Sequence, residues 1–218
     1  QAAIEMLTSQ LKNSDPQVAV AAAFALGKIG GADATTALRA ALASDSVPVR
    51  SAAASGCVLC AEQALAAGDS AAALEVYDQV RNTELPVQRI VEATHGAIVA
   101  RGAEGIPLLI ETLRSPERKL FYVALQTARE MPSQELTTAL LAEVASASPE
   151  RAPLIVQALA DMPGTVDVQT IVELAATAKS KEVRVAAIDA IGRTGDASCV
   201  APLLKVATES EDLVAPVK

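Results

Sequence analysis

In "DPQVAVAAAFALGKIG", residues 15–30, apolar side chains recur at i, i+3, i+4 and i+7. That spacing lays one apolar stripe along a helix of 3.6 residues per turn. The phrase returns as "KEVRVAAIDAIGRTG" at 181–195. With Leu26 as marker, the corresponding positions between and beyond are Cys57, His95, Ala128, Leu159 and Ile191, separated by 31, 38, 33, 31 and 32 residues. Two shorter echoes keep the same step: "SPER" at 115–118 and 148–151, and "MP" at 131–132 and 162–163. The chain is an array of one unit about 33 residues long, written six times.

Each unit reads as two helices. The first, A, follows a capping signal such as Asp15-Pro16 or Ser148-Pro149 and stops near Gly30, Gly102, Pro132, Pro163 or Gly195. The second, B, is a shorter apolar stripe such as "GIPLLIETL" or "ELTTALLAEV". The predicted organisation is an unpaired B-type helix over 1–13, repeats at 15–45, 46–83, 85–114, 116–147, 148–179 and 181–210, and the start of a further repeat at 211–218. Neither end carries the polar cap that helical arrays use for solubility, so the sequence reads as a module of a longer chain. One helix pair has too little core of its own and must bury its flank on a neighbour, which predicts an all-α solenoid. Ala21, Ala22, Ala25 and Gly27 remove bulk where adjacent A helices approach. Gly27 costs about 1 kcal/mol of helix propensity relative to Ala. Its return as Gly96 and Gly192 predicts close packing at all three.

Composition sharpens this picture. The chain is 51% hydrophobic but only 2% aromatic, so the core is Ala, Leu, Val and Ile, which suits closely spaced helices. No apolar run reaches the roughly 18–20 residues that cross a bilayer. Acidic side chains outnumber basic ones, 26 to 18, which argues against a nucleic-acid partner, whose phosphates call for a basic stripe.

The units resemble HEAT repeats of the short bacterial type also found in phycobilin lyases. The pattern Asp-Pro-x-Val-Arg-x-x-Ala-Ala-x-Ala-Leu-Gly-x-Ile-Gly is matched best at 15–30, with Ala19 in the Arg position. Arg50 and Arg184 keep that arginine in the second and sixth copies. The resemblance implies a right-handed α–α superhelix of armadillo-like build, with B helices on the concave side and A helices on the convex side. It also implies a protein-binding scaffold, with chromophore or substrate handling of the phycobilin-lyase type as the alternative.

Candidate chemistry is sparse. Cys57-Val58-Leu59-Cys60 is a CxxC, yet it falls inside an A helix, in the slots of Leu26 and Ile29, where cysteine acts as a small buried hydrophobe. A structural zinc site needs four ligands, and no second CxxC or His cluster is present. Cys199, at the start of the last B helix, has no visible partner, and three cysteines make no disulfide framework. His95, the single histidine, occupies the Leu26 slot of the third copy and is expected to be partly buried. One histidine excludes the di-iron hydroxylases of HEAT-like build, for which the resemblance would require several His–Glu pairs. Excision of DNA bases, known in other HEAT-like proteins, would need a basic track and aromatic wedges, and the chain has no Trp, two Tyr and two Phe. No catalytic, cofactor or metal residue is nominated.

Charge is distributed unevenly: the A helices carry eleven basic against eight acidic side chains, the B helices five against ten. A concave B face would then be acidic and fit a protein partner with a basic surface, through Glu75, Asp78, Glu111, Glu143 and Glu173. The same balance also describes an ordinary solvated face. In this register Ile191 faces the core and Arg193 the solvent. Because repeats contact only their neighbours, small-angle scattering is expected to give a radius of gyration well above the roughly 17 Å of a compact chain this long. A value near 17 Å counts against the array.

Overall fold

The structure, a computed structural model, describes residues 1–162, 164–195 and 197–209. The predicted helix stop at Pro163 and repeat start at 211–218 lie outside the described residues. The described chain is helical and contains no strand. Helix α1 (Ala2–Gln10) is followed by six pairs: α2 (Pro16–Ile29) with α3 (Gly31–Ala41), α4 (Val47–Ala66) with α5 (Ser70–Arg81), and α6 (Val87–Arg101) with α7 (Ile106–Leu113). The later pairs are α8 (Arg118–Glu130) with α9 (Gln134–Ser146), α10 (Ala152–Ala160) with α11 (Val168–Thr177), and α12 (Lys181–Thr194) with α13 (Val200–Glu209). They fall into two compact units, one of residues 1–105 with 117–123, the other of 106–116 with the described residues from 124 onward.

Local chemistry sets the helix ends. Asp15 Oδ1 accepts from the Gln17 amide at 2.8 Å and Pro16 opens α2, as the sequence predicts. Ser133 and Ser180 cap α9 and α12 through the amides of Leu136 and Val183. Gly30, at φ 69°, turns α2 directly into α3. The start predicted at Ser148-Pro149 differs. There the Ser148 carbonyl takes the amides of Arg151 and Ala152 in a separate turn, and α10 begins only at Ala152. This leaves α10 with 9 residues, against 14 in α2 and α12.

In the first unit α2 crosses α4 where Gly27 meets Gly56. A Cβ on Gly27 would lie 2.6 Å from the Gly56 Cα. Gly96 on α6 faces the Tyr77 ring of α5, which fills the space a side chain at 96 would take. Gly192 departs from the prediction: it is exposed, and a Cβ there meets nothing within 4 Å. The reason is positional, since α2 packs this face on the following A helix and α12 has none after it among the described residues.

The marker positions Leu26, Cys57, Ala128 and Leu159 are fully buried and Ile191 nearly so, whereas His95 is half-buried. On α6 the fully buried positions are Ala93, Ala97 and Ile98, so the long 38-residue step into this copy shifts its register. In the second unit Leu109, Leu140, Ile155, Leu159 and Ile171 continue the aliphatic core. Arg193 is half-exposed and pairs with Asp161 at 3.1 Å, while Arg129 binds the same carboxylate at 2.8 Å from the other side.

The arginines of the repeat pattern tie the second and sixth copies to the end of the previous B helix. Arg50 donates to the Ser44 carbonyl at 2.7 Å, and Arg184 to that of Ala178 at 2.9 Å. Both bonds hold the turn that leads from a B helix into the next A helix.

The two glycines give opposite expectations. Gly27→Ala forces α2 and α4 apart and is expected to cost about 1–3 kcal/mol by overpacking. Gly192→Ala adds helix propensity in open space and is expected to stabilise by about 0.5–1 kcal/mol. Urea unfolding of both variants checks this, and shifts of the same sign would contradict the packing described.

Candidate interaction face on the B helices

The five nominated carboxylates divide between the units, and most are engaged within the protein. In the first unit Arg39, in the last turn of α3, reaches across to α5. It binds Glu75 at 2.8 Å and also donates to Gln79. The Glu75 side chain remains 66% exposed. Asp78, three residues on, is held by Arg81 at 2.9 Å and by Arg101 of α6 at 2.5 Å. Burial opposes charge on Asp78, but the bonds from Arg81 and Arg101 outweigh it and keep the carboxyl below its ordinary range.

In the second unit Arg114, just past the end of α7, donates from Nε at 3.0 Å and Nη2 at 2.7 Å to Glu143 of α9. Glu143 is only 6% exposed, so it is a buried tie between B helices, not a rim charge whose reversal would leave folding untouched. Glu111 and Glu173 are exposed. Next to the Arg114 clamp, Arg151 donates to the Leu113 carbonyl at 3.0 Å and fixes the turn that precedes α10.

Sequence reasoning counted these arginines as charge and missed them as partners. Their signal is an arginine at the C-terminal end of one B helix and a carboxylate on the next, as in Arg39 with Glu75 and Arg114 with Glu143. Summing charge by helix erased that pairing.

The cysteines are set for packing. Cys57 and Cys60 are buried in the middle of α4, and the Cys60 thiol points at the Gly27 carbonyl from 4.0 Å. Burial, reinforced by Cys60 beside it, pushes the Cys57 thiol up to about 12. Burial also raises Cys60, with a bond from Thr35 pulling the other way. A reactive thiol needs the opposite, an electropositive and accessible setting. Cys199 is buried as well. Among the described residues no group of three or more His, Cys, Asp or Glu side chains gathers as a metal site, and no helix is long and apolar enough to cross a membrane.

Fold and site together define an all-α helical-repeat protein, a solenoid of paired helices. The HEAT repeat family matches residues 1–56, and the PBS lyase HEAT-like repeat family matches residues 183–209. The chain carries HEAT-type repeats over these two stretches. Among solved structures it is similar to human deoxyhypusine hydroxylase in complex with glycerol, at 17% identity over 98% of this chain and 81% of that one, with a TM-score of 0.41. Two engineered proteins are similar at 23% and 22% identity, over 96% and 97% of this chain and 91% and 93% of theirs, with TM-scores of 0.35 and 0.34. No curated protein matches the sequence.

The buried thiol has a consequence for pH. The folded state holds the Cys57 proton to about pH 12, whereas the unfolded chain releases it near the ordinary thiol value of 9.0. Its contribution to stability is therefore complete below pH 9 and is lost as pH rises toward 12. Native protein at pH 8 is expected to resist alkylation at Cys57 and Cys60, and denatured protein to react at both. Mass spectrometry of iodoacetamide-treated samples reads the difference, and rapid native labelling of either thiol would refute the packing role.

Proposed function

We propose that the chain is a non-enzymatic protein–protein interaction scaffold, a HEAT-repeat module of a larger bacterial protein. The observation that carries this reading is the B-helix face itself. Arg39–Glu75 and Arg114–Glu143 brace neighbouring B helices, so the surface is held in place before any partner arrives. A braced surface loses little freedom on binding, which favours recognition. Glu75 in the first unit, and Glu111 and Glu173 in the second, give each unit exposed acidic side chains, and the partner is a protein bearing exposed Lys or Arg. The bacterial assignment rests on the resemblance of the units to short bacterial repeats.

A second reading, chromophore or substrate handling of the phycobilin-lyase type, is favoured by the match of the PBS lyase HEAT-like repeat at 183–209.

The test starts from affinity capture with this protein and identification of what it holds by mass spectrometry. With a partner in hand, Glu111→Lys together with Glu173→Lys is expected to slow association several-fold at low salt and flatten its salt dependence. Its thermal melt should stay within about 0.5 kcal/mol of the parent. Glu143→Gln, by contrast, breaks a buried tie and is expected to cost about 1–2 kcal/mol of stability. An unchanged on-rate and salt slope for the double reversal would remove the acidic face as the binding surface.

A further inference from the structure

A groove opens in the second unit beside the turn that precedes α10. With Ser148–Arg151 in a turn instead of a helix, the C-terminal turns of α9 and α11 bound an opening of about 360 Å³. That volume lies at the lower end of the range in which proteins hold ligands. Leu141 and Leu174 form its walls, and Val144, Ala152 and Val183, all nearly buried, form its floor. Lys179, exposed at the mouth, is the single charge among the lining residues. The groove is built to persist: Arg151 anchors the turn on the Leu113 carbonyl, and Arg184 anchors the α11 end on the carbonyls of Ala178 and Lys179. At the mouth of the groove the Lys179 ammonium stands beside apolar surface.

The same place in the first unit also carries a groove, between the ends of α1 and α3, of about 450 Å³. There Lys12 is accompanied by Asp45, so the two charges offset each other. The two grooves share a position in the repeat and differ in charge.

We propose that the groove between α9 and α11 is a docking site for a short apolar segment of a partner protein that carries a carboxylate next to its aliphatic side chains. The aliphatic side chains enter between Leu141 and Leu174, and the carboxylate lies at Lys179. This rests on the scaffold reading but uses a surface apart from the exposed glutamates. The first-unit groove, with its charges offset, takes an apolar segment without preference for an acid.

The test is an NMR titration of the whole chain with two blocked tripeptides, Leu-Leu-Asp and Leu-Leu-Lys, following backbone amides at Ala145, Lys179 and Val183. The acidic peptide is expected to shift these amides saturably and to bind the parent roughly tenfold more tightly than the basic one. Lys179→Glu is expected to reverse that order, with the melt unchanged because Lys179 is exposed. Ala145→Phe, an exposed site at the groove edge, is expected to abolish both titrations. Absence of saturable shifts at these amides overturns the proposal. So does equal binding of the two peptides by the parent, or an order that Lys179→Glu leaves unchanged. The scaffold reading fails separately, if the whole protein captures no partner, so the two failures are distinguishable.

Discussion

Two joints between repeats in this protein depend on how the chain leaves a B helix. Just past the helix end, an arginine from the next A helix binds a carbonyl of the connecting turn: Arg50 on Ser44, Arg184 on Ala178. One bond therefore holds the turn and sets where the following helix begins. The aliphatic core then packs around a turn whose geometry is already fixed. With aromatic residues at 2% of the chain, few large rings fill gaps between helices, so the turns carry much of the positioning. Where the arginine reaches elsewhere, as Arg151 does to Leu113, the turn opens and α10 starts late.

The repeat was legible in the sequence because helical periodicity and a recurring step are both one-dimensional signals. Leu26, Cys57, Leu159 and Ile191 fall in the core as their shared slot requires. His95 does not follow them fully, because the longest step of the series precedes it and shifts α6 in register. Gly192 shows a different limit. A glycine in the right slot packs closely only if a neighbour occupies the other side, and sequence spacing carries no record of that neighbour.

The candidate face was legible as a charge balance and not as a set of bonds. Glu143 read as one carboxylate among five, yet it lies buried under a two-pronged bond from Arg114. Asp78 sits between two arginines from different helices. The pairs that cross between helices join residues more than twenty positions apart, and only folding decides which of several arginines arrives. The net charge of a helix survives this pairing, while the field it offers to a partner is much reduced. Glu75, Glu111 and Glu173 keep the exposure that the balance implied for all five.

The contact between Tyr77 and Gly96 bears on how such an array can change over evolutionary time. The ring of one helix occupies the place a neighbour's side chain would need, so the two positions form a matched pair. The crossing of α2 and α4 uses another solution, glycine against glycine. Joints made in unlike ways do not fit one another. A unit excised from one place and duplicated or shuffled into another would bring half of a joint without its mate. Growth or rearrangement of this array by recombination is therefore constrained at Tyr77–Gly96 to segments that carry both α5 and α6 together.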